Sequence, residues 1–189
     1  MSELIFKNVY KSFLRTDSDE ITNALSDISF SAKSGEFVSI VGPSGCGKST
    51  ILRLISGLTY PTRGEILLDN KPVEETSSER SMVFQSHNLF PWLTVGENVA
   101  FSGTLKENKE VDEAEVDRLL KKVGLYEFKN LYPSSLSGGM AQRVSLIRTM
   151  VNKPEVFLLD EPLGALDAFT RMNMHCLLYT SDAADDSLR

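Results

Sequence analysis

The chain has 189 residues and a formal net charge of −6, with 41% hydrophobic and 24% charged residues. This balance is typical of a folded globular protein, and the acidic charge argues against a broad nucleic-acid-binding face, which is usually basic. No apolar stretch approaches the roughly 18 residues of a membrane-spanning helix and the N-terminus lacks the apolar core of a signal peptide, so we expect a cytoplasmic protein.

The first part of the chain alternates apolar and polar residues over short stretches. Ile28 and Phe30 alternate with polar neighbours, as in a strand with one buried face. Residues 65–68 followed by Asp69 and Asn70 indicate a strand and a turn. These patterns predict an N-terminal part built of antiparallel strands.

Two apolar runs show no such alternation, at 37–41 and at 156–159. Parallel strands that are covered on both faces have this composition. We therefore predict that both runs are core strands of an α/β fold with a mostly parallel core sheet.

Apolar residues at helical spacing predict three helices. The first follows a glycine-rich loop and ends near Gly57, the second ends at Gly124, and the third runs from about Gly138 to Val151. The predicted buried faces are Ile51, Leu54, Ile55 and Leu58; Val116, Leu119, Leu120 and Val123; and Met140, Val144, Ile147 and Val151. Because residues 93–152 are almost entirely helical, we interpret them as an inserted helical sub-domain.

The glycine-rich loop satisfies the phosphate-loop pattern GxxxxGKS/T between a predicted strand and a predicted helix. It consists of Gly42, Pro43, Ser44, Gly45, Cys46, Gly47, Lys48, Ser49 and Thr50. Glycines let consecutive N–H groups face an anion, the helix adds a partial positive charge, and Lys48 can neutralise the β and γ phosphates. Ser49 is placed to bind Mg²⁺. The alternative is a plain turn with a solvated lysine.

Two carboxylates follow the second apolar run. Asp160 and Glu161 stand where open α/β sheets bind their ligands, at the C-terminal end of a strand. We expect Asp160 to hold Mg²⁺ through water and Glu161 to act as general base on the attacking water. The alternative is a strand that ends in solvated acids.

A serine and two glycines precede the third helix. Ser137 is a natural N-cap residue, and Gly138 and Gly139 expose backbone N–H groups. Taken alone, the segment could equally be a flexible cap.

Together these motifs resemble the ATP-binding subunits of ABC transporters in their order and spacing, over residues from about 4 to 174. The resemblance rests on the phosphate loop, Gln85, residues 136–140, residues 158–162 and the sequence Ala-Leu-Asp ending at Asp167. More narrowly, VGPSGCGKST, NLFPWLTVGENV, LSGGMAQRV and LLDEPLGALDAFTR are similar to the ATPase subunits of nitrate, sulfonate and taurine importers. Methionine at Met140, where the family most often has glutamine, occurs in this narrower group.

The resemblance implies roles for further residues. Phe13 matches the aromatic that stacks on adenine, with Tyr10 as a nearby competitor and a core position as the alternative for either. Gln85 matches the glutamine that contacts Mg²⁺ and the attacking water, the alternative being a solvated loop residue. Residues 137–139 match the signature that caps the γ-phosphate of ATP held by another subunit. Asp167 matches the aspartate that links the two sites.

The implied cofactors are ATP and Mg²⁺, and the implied assembly is a head-to-tail homodimer on integral membrane permease subunits. These would dock near Gln85 and residues 88–92, where Phe90 and Trp92 could instead be buried core. A periplasmic or extracellular solute-binding protein is an indirect partner. The implied location is cytoplasmic, peripheral on the inner face of the membrane, with no nucleic-acid partner.

The implied function is ATP binding and hydrolysis that energise uptake of a small solute such as nitrate, a sulfonate or taurine. One alternative is a non-transport relative that acts on nucleic acid or the ribosome, although such proteins usually carry a coiled-coil insertion or a second cassette. Another is a P-loop kinase, which would need an acceptor pocket in place of the signature. The sequence of an ATPase subunit does not identify the transported solute, because this subunit does not contact the solute.

The end of the chain departs from the family, which continues after Asp167 with a helix, a strand and a histidine that contacts the γ-phosphate. Neither His87 nor His175 stands at that position. We expect a truncated chain that is unstable and hydrolyses ATP slowly, with a final segment resembling translated adapter sequence; an ordinary frayed tail is the alternative. The predicted organisation is a nucleotide-binding core at 1–92 and 153–174, a helical sub-domain at 93–152 and a non-native tail at 175–189.

Overall fold

The computed structural model describes residues 3–15, 20–104 and 112–161, and the chain divides into two units, 1–80 and 81–189. The first contains β1 (Glu3–Leu14), β2 (Ile21–Lys33), α1 (Lys48–Ile55), β3 (Arg63–Leu68) and β4 (Lys71–Pro72). From the junction onward follow β5 (Arg80–Val83), α2 (Val95–Thr104), α3 (Glu113–Lys122), short 3-10 helices at Tyr126–Phe128 and Pro133–Ser135, α4 (Gly138–Met150) and β6 (Val156–Leu159). No helix among these described residues is long and apolar enough to cross a membrane.

The first unit contains a four-stranded antiparallel sheet in the order β2-β1-β3-β4, as the alternating pattern predicts. Leu4 and Phe6 are buried, and the Phe6 ring stacks on Phe30 with the centroids 4.5 Å apart. At Asn8 the backbone has a φ of 46° and the pairing of β1 shifts, so the buried position moves to Val9. The shift reverses which face each residue presents.

The predicted turn between β3 and β4 is present. Asp69 and Asn70 have φ values of 51° and 62°, the left-handed pair that a tight two-residue hairpin requires. The prediction of a strand followed by a turn is confirmed.

Three predicted helices are present as α1, α3 and α4. Leu58 does not belong to the buried face of α1, because the helix ends before it and Leu58 is exposed. In α4, Val144 and Ile147 are fully buried, whereas Met140 and Val151 are only partly so. α4 also buries polar residues that the predicted stripe does not include: Gln142, Ser145 and Thr149.

The prediction for the two apolar runs is half right. Residues 156–159 form β6, which pairs with β5, but residues 37–41 form no strand, and Phe37, Val38 and Val41 are exposed. A strand that is covered on both faces needs partner strands, and the described strands do not pair with this run. An apolar composition alone therefore does not make a core strand.

In the described part of the second unit, an apolar cluster joins α2, α3 and α4 with β5 and β6. Its fully or nearly fully buried members are Val83, Val95, Val99, Val116, Leu119, Leu120, Val123, Leu125, Val144, Leu146 and Ile147. Phe157 and Leu159 of β6 pack against it. The predicted boundaries of the helical sub-domain, at 93 and 152, stay a prediction.

We expect Leu120→Ala to lower the free energy of unfolding by about 2–5 kcal/mol, because it leaves a cavity in the apolar cluster. Leu120 is fully buried, whereas Leu131 in the same unit is exposed. Urea unfolding followed by circular dichroism measures both variants, and Leu131→Ala should change the free energy by less than about 0.5 kcal/mol. Equal losses from the two variants would contradict the assignment of this core.

Candidate functional site

Residues 42–46 of the glycine-rich loop are exposed, and residues 48–50 form the start of α1. Gly47 is the N-cap residue of α1 and has a φ of 97°, which residues with a side chain rarely adopt. A Cβ atom at this position would lie 2.7 Å from Leu25 Cδ2 and 2.8 Å from the carbonyl oxygen of Ala24, both in β2. Glycine at position 47 therefore permits both the turn and its close approach to the sheet.

Lys48 is the first residue of α1, and its side chain folds back over the loop. Its Nζ donates hydrogen bonds to the carbonyl oxygens of Gly42 at 2.9 Å and Pro43 at 2.8 Å, and lies 4.0 Å from Cys46 Sγ. A lysine that extends freely into solvent would make none of these contacts. The ammonium charge is thus held against the loop, at the N-terminus of α1.

The first turn of α1 adds backbone donors to this charge. An α-helix leaves its first four N–H groups without acceptors inside the helix, and its N-terminus carries roughly half a positive charge. α1 has no acidic residue in its first turn to offset that charge. The loop therefore combines an ammonium group, helix N–H groups and a glycine-rich turn, which together can bind phosphate oxygens.

Phe13 lies on the strand next to the one that contacts this loop. Gly47 approaches Ala24 and Leu25 of β2, and Phe13 pairs with Thr22 of the same strand. Two residues along a strand span about 7 Å and neighbouring strands lie about 5 Å apart. Phe13 and the phosphate loop are therefore at the same end of the sheet.

The Phe13 ring is accessible, since 42% of the residue is exposed. Lys11 places its Nζ 4.8 Å from the ring centroid and donates a hydrogen bond to the carbonyl oxygen of Tyr60 at 2.8 Å. Tyr10, the competing aromatic, is partly buried and pairs with Arg63 of β3. Phe13 is thus not a core residue in this structure, and its exposure suits stacking on a planar ligand.

Gln85 and Glu161 are 76 positions apart in the sequence and are in contact in the structure. Gln85 Nε2 donates a hydrogen bond to Glu161 Oε2 at 3.0 Å. Each residue follows the end of one of the paired strands β5 and β6, and the backbone N–H of Asp160 donates to the carbonyl oxygen of Val83 at 3.0 Å. The strand pair therefore brings together three residues that the sequence predicts for one site.

Ser137 is the N-cap residue of α4, as predicted. Its Oγ accepts a hydrogen bond from the backbone N–H of Met140 at 3.3 Å. Gly138 and Gly139 are the first two residues of the helix, and Gly138 is exposed. The N-terminus of α4 thus presents backbone donors from residues without side chains, although it carries no cation of its own in this turn.

The predicted metal ligands of this chain all bind through oxygen atoms. The described part of the chain contains no group of three or more His, Cys, Asp or Glu residues that could hold an ion. The predicted metal ligands are Ser49, Gln85 and Asp160, and hydroxyl, amide and carboxylate oxygens fit Mg²⁺, which keeps several waters and phosphate oxygens as further ligands. Asp167 lies outside the described residues.

The structure adds one histidine contact that sequence reasoning missed. His87 Nδ1 lies 2.6 Å from Gln142 Oε1 of α4, and Arg148 Nη1 and Nη2 donate to the carbonyl oxygens of Asn88 at 2.8 Å and His87 at 3.3 Å. Burial lowers the pKa of the Arg148 guanidinium. Gln142 and Arg148 are two of the five polar residues of α4, with Arg143, Ser145 and Thr149, so no local pattern in the sequence singled them out.

A family model for the ABC transporter matches residues 25–164. The match spans the phosphate loop, Gln85, the signature and the Asp160-Glu161 pair, and it leaves Phe13 and Asp167 outside. Because the match covers well over half of the sequence, the chain belongs to the ABC transporter family.

Individual relatives agree with this membership. The taurine import ATP-binding protein TauB of Roseobacter denitrificans is 46% identical over 179 residues, which are 94% of this chain and 66% of the relative. The aliphatic sulfonates import ATP-binding protein SsuB of Bacillus cereus is 46% identical over 154 residues, which are 82% of this chain and 61% of the relative. The chain thus spans about two thirds of the length of these relatives.

The likeness extends to solved structures. A dimeric structure of a post-hydrolysis state of the ATP-binding cassette MJ0796, bound to ADP and Pi, has a TM-score of 0.87 at 36% identity. The alignment covers 96% of this chain and 84% of that chain. The predicted α/β P-loop fold and the resemblance to ABC transporter subunits are therefore confirmed.

We expect Gly47→Ala to destabilise the chain more than Gly45→Ala. Both glycines have a positive φ, which costs a residue with a Cβ atom about 1–2 kcal/mol, but only position 47 is crowded by β2. Urea unfolding of the two variants measures the difference, and Gly45→Ala is the control for the backbone conformation. Equal free energies of unfolding would contradict a tight contact between the loop and β2.

Proposed function

We propose that this chain binds and hydrolyses ATP with Mg²⁺ as a subunit of an ABC importer that takes up a small solute such as nitrate, a sulfonate or taurine. The observation that carries the proposal is the position of Lys48, whose ammonium group is held over the phosphate loop at a helix N-terminus. The relatives TauB and SsuB are import ATP-binding proteins for taurine and aliphatic sulfonates, which supports the solute class.

In this proposal the loop at 42–50 and Lys48 hold the phosphates of ATP. The N–H groups of the loop and of α1 donate to phosphate oxygens, and the ammonium group offsets their charge. Phe13 stacks on the adenine, which its exposure and its position at the same end of the sheet support. Ser49, Gln85 and Asp160 hold Mg²⁺, which when bound neutralises charge on the phosphates.

Glu161 is the proposed general base. The hydrogen bond from Gln85 Nε2 engages Oε2 of the carboxylate and orients it, while Oε1 can accept a proton from water. The same amide group ties the position of the base to the loop that follows β5. Gln85 thus serves in the proposal both as a ligand and as the residue that orients Glu161.

A second copy of the chain completes each site in this proposal. Ser137, Gly138 and Gly139 at the N-terminus of α4 cap the γ-phosphate of ATP held by the other copy, and Asp167 links the two sites. The dimeric state named for the solved cassettes supports a homodimer. Permease subunits dock near Gln85 and residues 88–92, where Trp92 is 70% exposed rather than buried in the core.

This arrangement sets the location and the remaining partners in the proposal. The dimer lies on the cytoplasmic face of the membrane, bound to its permease. A solute-binding protein on the other side acts only through the permease, and nucleic acid is not a partner.

We expect Lys48→Ala to weaken binding of Mg-ATP by about 10- to 100-fold, because a charge-assisted hydrogen bond to phosphate is lost. Isothermal titration calorimetry measures the affinity. Lys7→Ala is the matched control, since it also removes one positive charge from the first unit but breaks only an exposed ion pair with Glu65. If Lys48→Ala binds Mg-ATP with the affinity of the parent chain, the proposed phosphate site is wrong.

We expect Glu161→Gln to retain affinity for Mg-ATP and to lower the rate of phosphate release by about 100-fold or more, since a general base typically contributes 10²–10⁴. Phosphate release with no acceptor added measures hydrolysis and separates it from kinase activity. The control is Glu155→Gln, at the opposite end of β6. Equal rates for the parent and Glu161→Gln would rule out Glu161 as the base.

A further inference from the structure

The segment that follows Gln85 is fastened to α4 by side-chain hydrogen bonds. His87 Nδ1 and Gln142 Oε1 are 2.6 Å apart, and Gln142 is only 2% exposed. Arg148, two turns further along α4, donates to the carbonyl oxygens of Asn88 and His87. The side chain of His87 and the backbone of residues 87 and 88 are thus both held by the same helix.

We propose that His87 is a positioning residue that holds the N-terminus of α4, with the signature glycines, against the loop that carries Gln85. The role of this contact in turnover rests on the proposed function. The contact between His87 and Gln142 does not rest on the proposed function, because it is observed within the second unit of the chain.

The two nitrogens of the imidazole ring lie near two residues of α4 that are one turn apart, Gln142 and Gly138. One ring nitrogen, Nδ1, bonds to Gln142, and the other, Nε2, lies 3.9 Å from the position that a Cβ atom of Gly138 would occupy. Because Gln142 Oε1 is an acceptor, Nδ1 is the donor in this bond. Nε2 therefore lies beside the first turn of α4, where N–H donors and partial positive charge are located.

The bond matters more than an exposed one because its partner is buried. Gln142 Nε2 has no hydrogen-bond partner among the described residues, so His87 provides the bond that the structure gives to this amide. Loss of His87 would leave the buried amide without it, and an unsatisfied buried polar group is unfavourable. The loop that follows Gln85 would then no longer be held against α4 by this side-chain contact.

The connection continues from His87 to the proposed base. Gln85 is two residues before His87, and its Nε2 bonds to Glu161 Oε2 at 3.0 Å. A displacement of residue 87 therefore moves the group that orients Glu161. In this way one histidine relates the position of the signature to the position of the base within a single chain.

Two conservative variants separate the two ring nitrogens. Asparagine at position 87 can place its amide near the position of Nδ1, whereas glutamine places its amide near the position of Nε2. We expect His87→Asn to keep the bond to Gln142, and His87→Gln and His87→Ala to lose it. Ser86→Ala is the control, because it removes only an exposed hydrogen bond to Asn88 in the same loop.

Hydrogen–deuterium exchange of residues 86–90 and 137–142 is the first measurement. His87→Gln and His87→Ala should exchange about three- to tenfold faster in both segments, as expected for one lost hydrogen bond, while His87→Asn and Ser86→Ala should match the parent. Emission of Trp92, the chain's one tryptophan, whose ring lies 5.5 Å from that of Phe90, gives an independent signal from the same loop. Parental exchange in both His87→Gln and His87→Ala would overturn the proposal, as would equal effects of asparagine and glutamine.

ATP hydrolysis is the second measurement. His87→Gln should lower kcat about three- to tenfold with little change in KM, since the phosphate loop and Phe13 are untouched, and His87→Asn should restore kcat. If the parent chain neither binds nor hydrolyses ATP, the proposed function fails, whereas the exchange result still decides the positioning role. If the parent hydrolyses ATP and His87→Gln keeps both parental kcat and parental exchange, only the positioning role fails.

Discussion

The first turn of an α-helix leaves N–H groups without acceptors, and both candidate phosphate sites in this chain are built on that constraint. α1 begins after Gly47 and α4 begins after Ser137, and neither helix has an acidic residue in its first turn. The two ends differ in charge. α1 carries Lys48 at its first position, whereas α4 begins with two glycines and has one of its donors occupied by the Ser137 hydroxyl.

This difference predicts that the two proposed phosphate sites have unequal strength. Backbone donors and a helix dipole give a modest attraction that water and salt weaken, whereas an ammonium group held at the loop adds a full charge. In the proposed function, the loop at α1 can therefore hold a triphosphate by itself. In the proposed function, the end of α4, which has no cation in its first turn, caps a phosphate that another copy of the chain already holds.

Local sequence predicted those features of the fold that depend on local interactions. Alternation around Ile28 and Phe30, the Asp69-Asn70 turn, the start of α1 and the Ser137 cap are each set by neighbouring residues, and all are present. The prediction of a strand at residues 37–41 was wrong, because an apolar run indicates burial, while a strand also needs partner strands that local sequence does not specify. For Gln85 and Glu161, motifs supplied the candidates, but the hydrogen bond between them depends on the pairing of β5 with β6.

His87 and Gln142 were beyond local prediction for the same reason, and they also illustrate a choice between stability and position. A fully apolar α4 would bury its surface without leaving an amide nitrogen unpartnered in the described structure, as Gln142 Nε2 is. Thr149, also buried, avoids this problem by donating to the carbonyl oxygen of Ser145 one turn earlier. Gln142 instead reaches out of its helix to a loop. A buried polar group that is paired in one geometry penalises other geometries. We therefore infer that Gln142 fixes the register of α4 against the loop of Gln85 and contributes little to the stability of the helix.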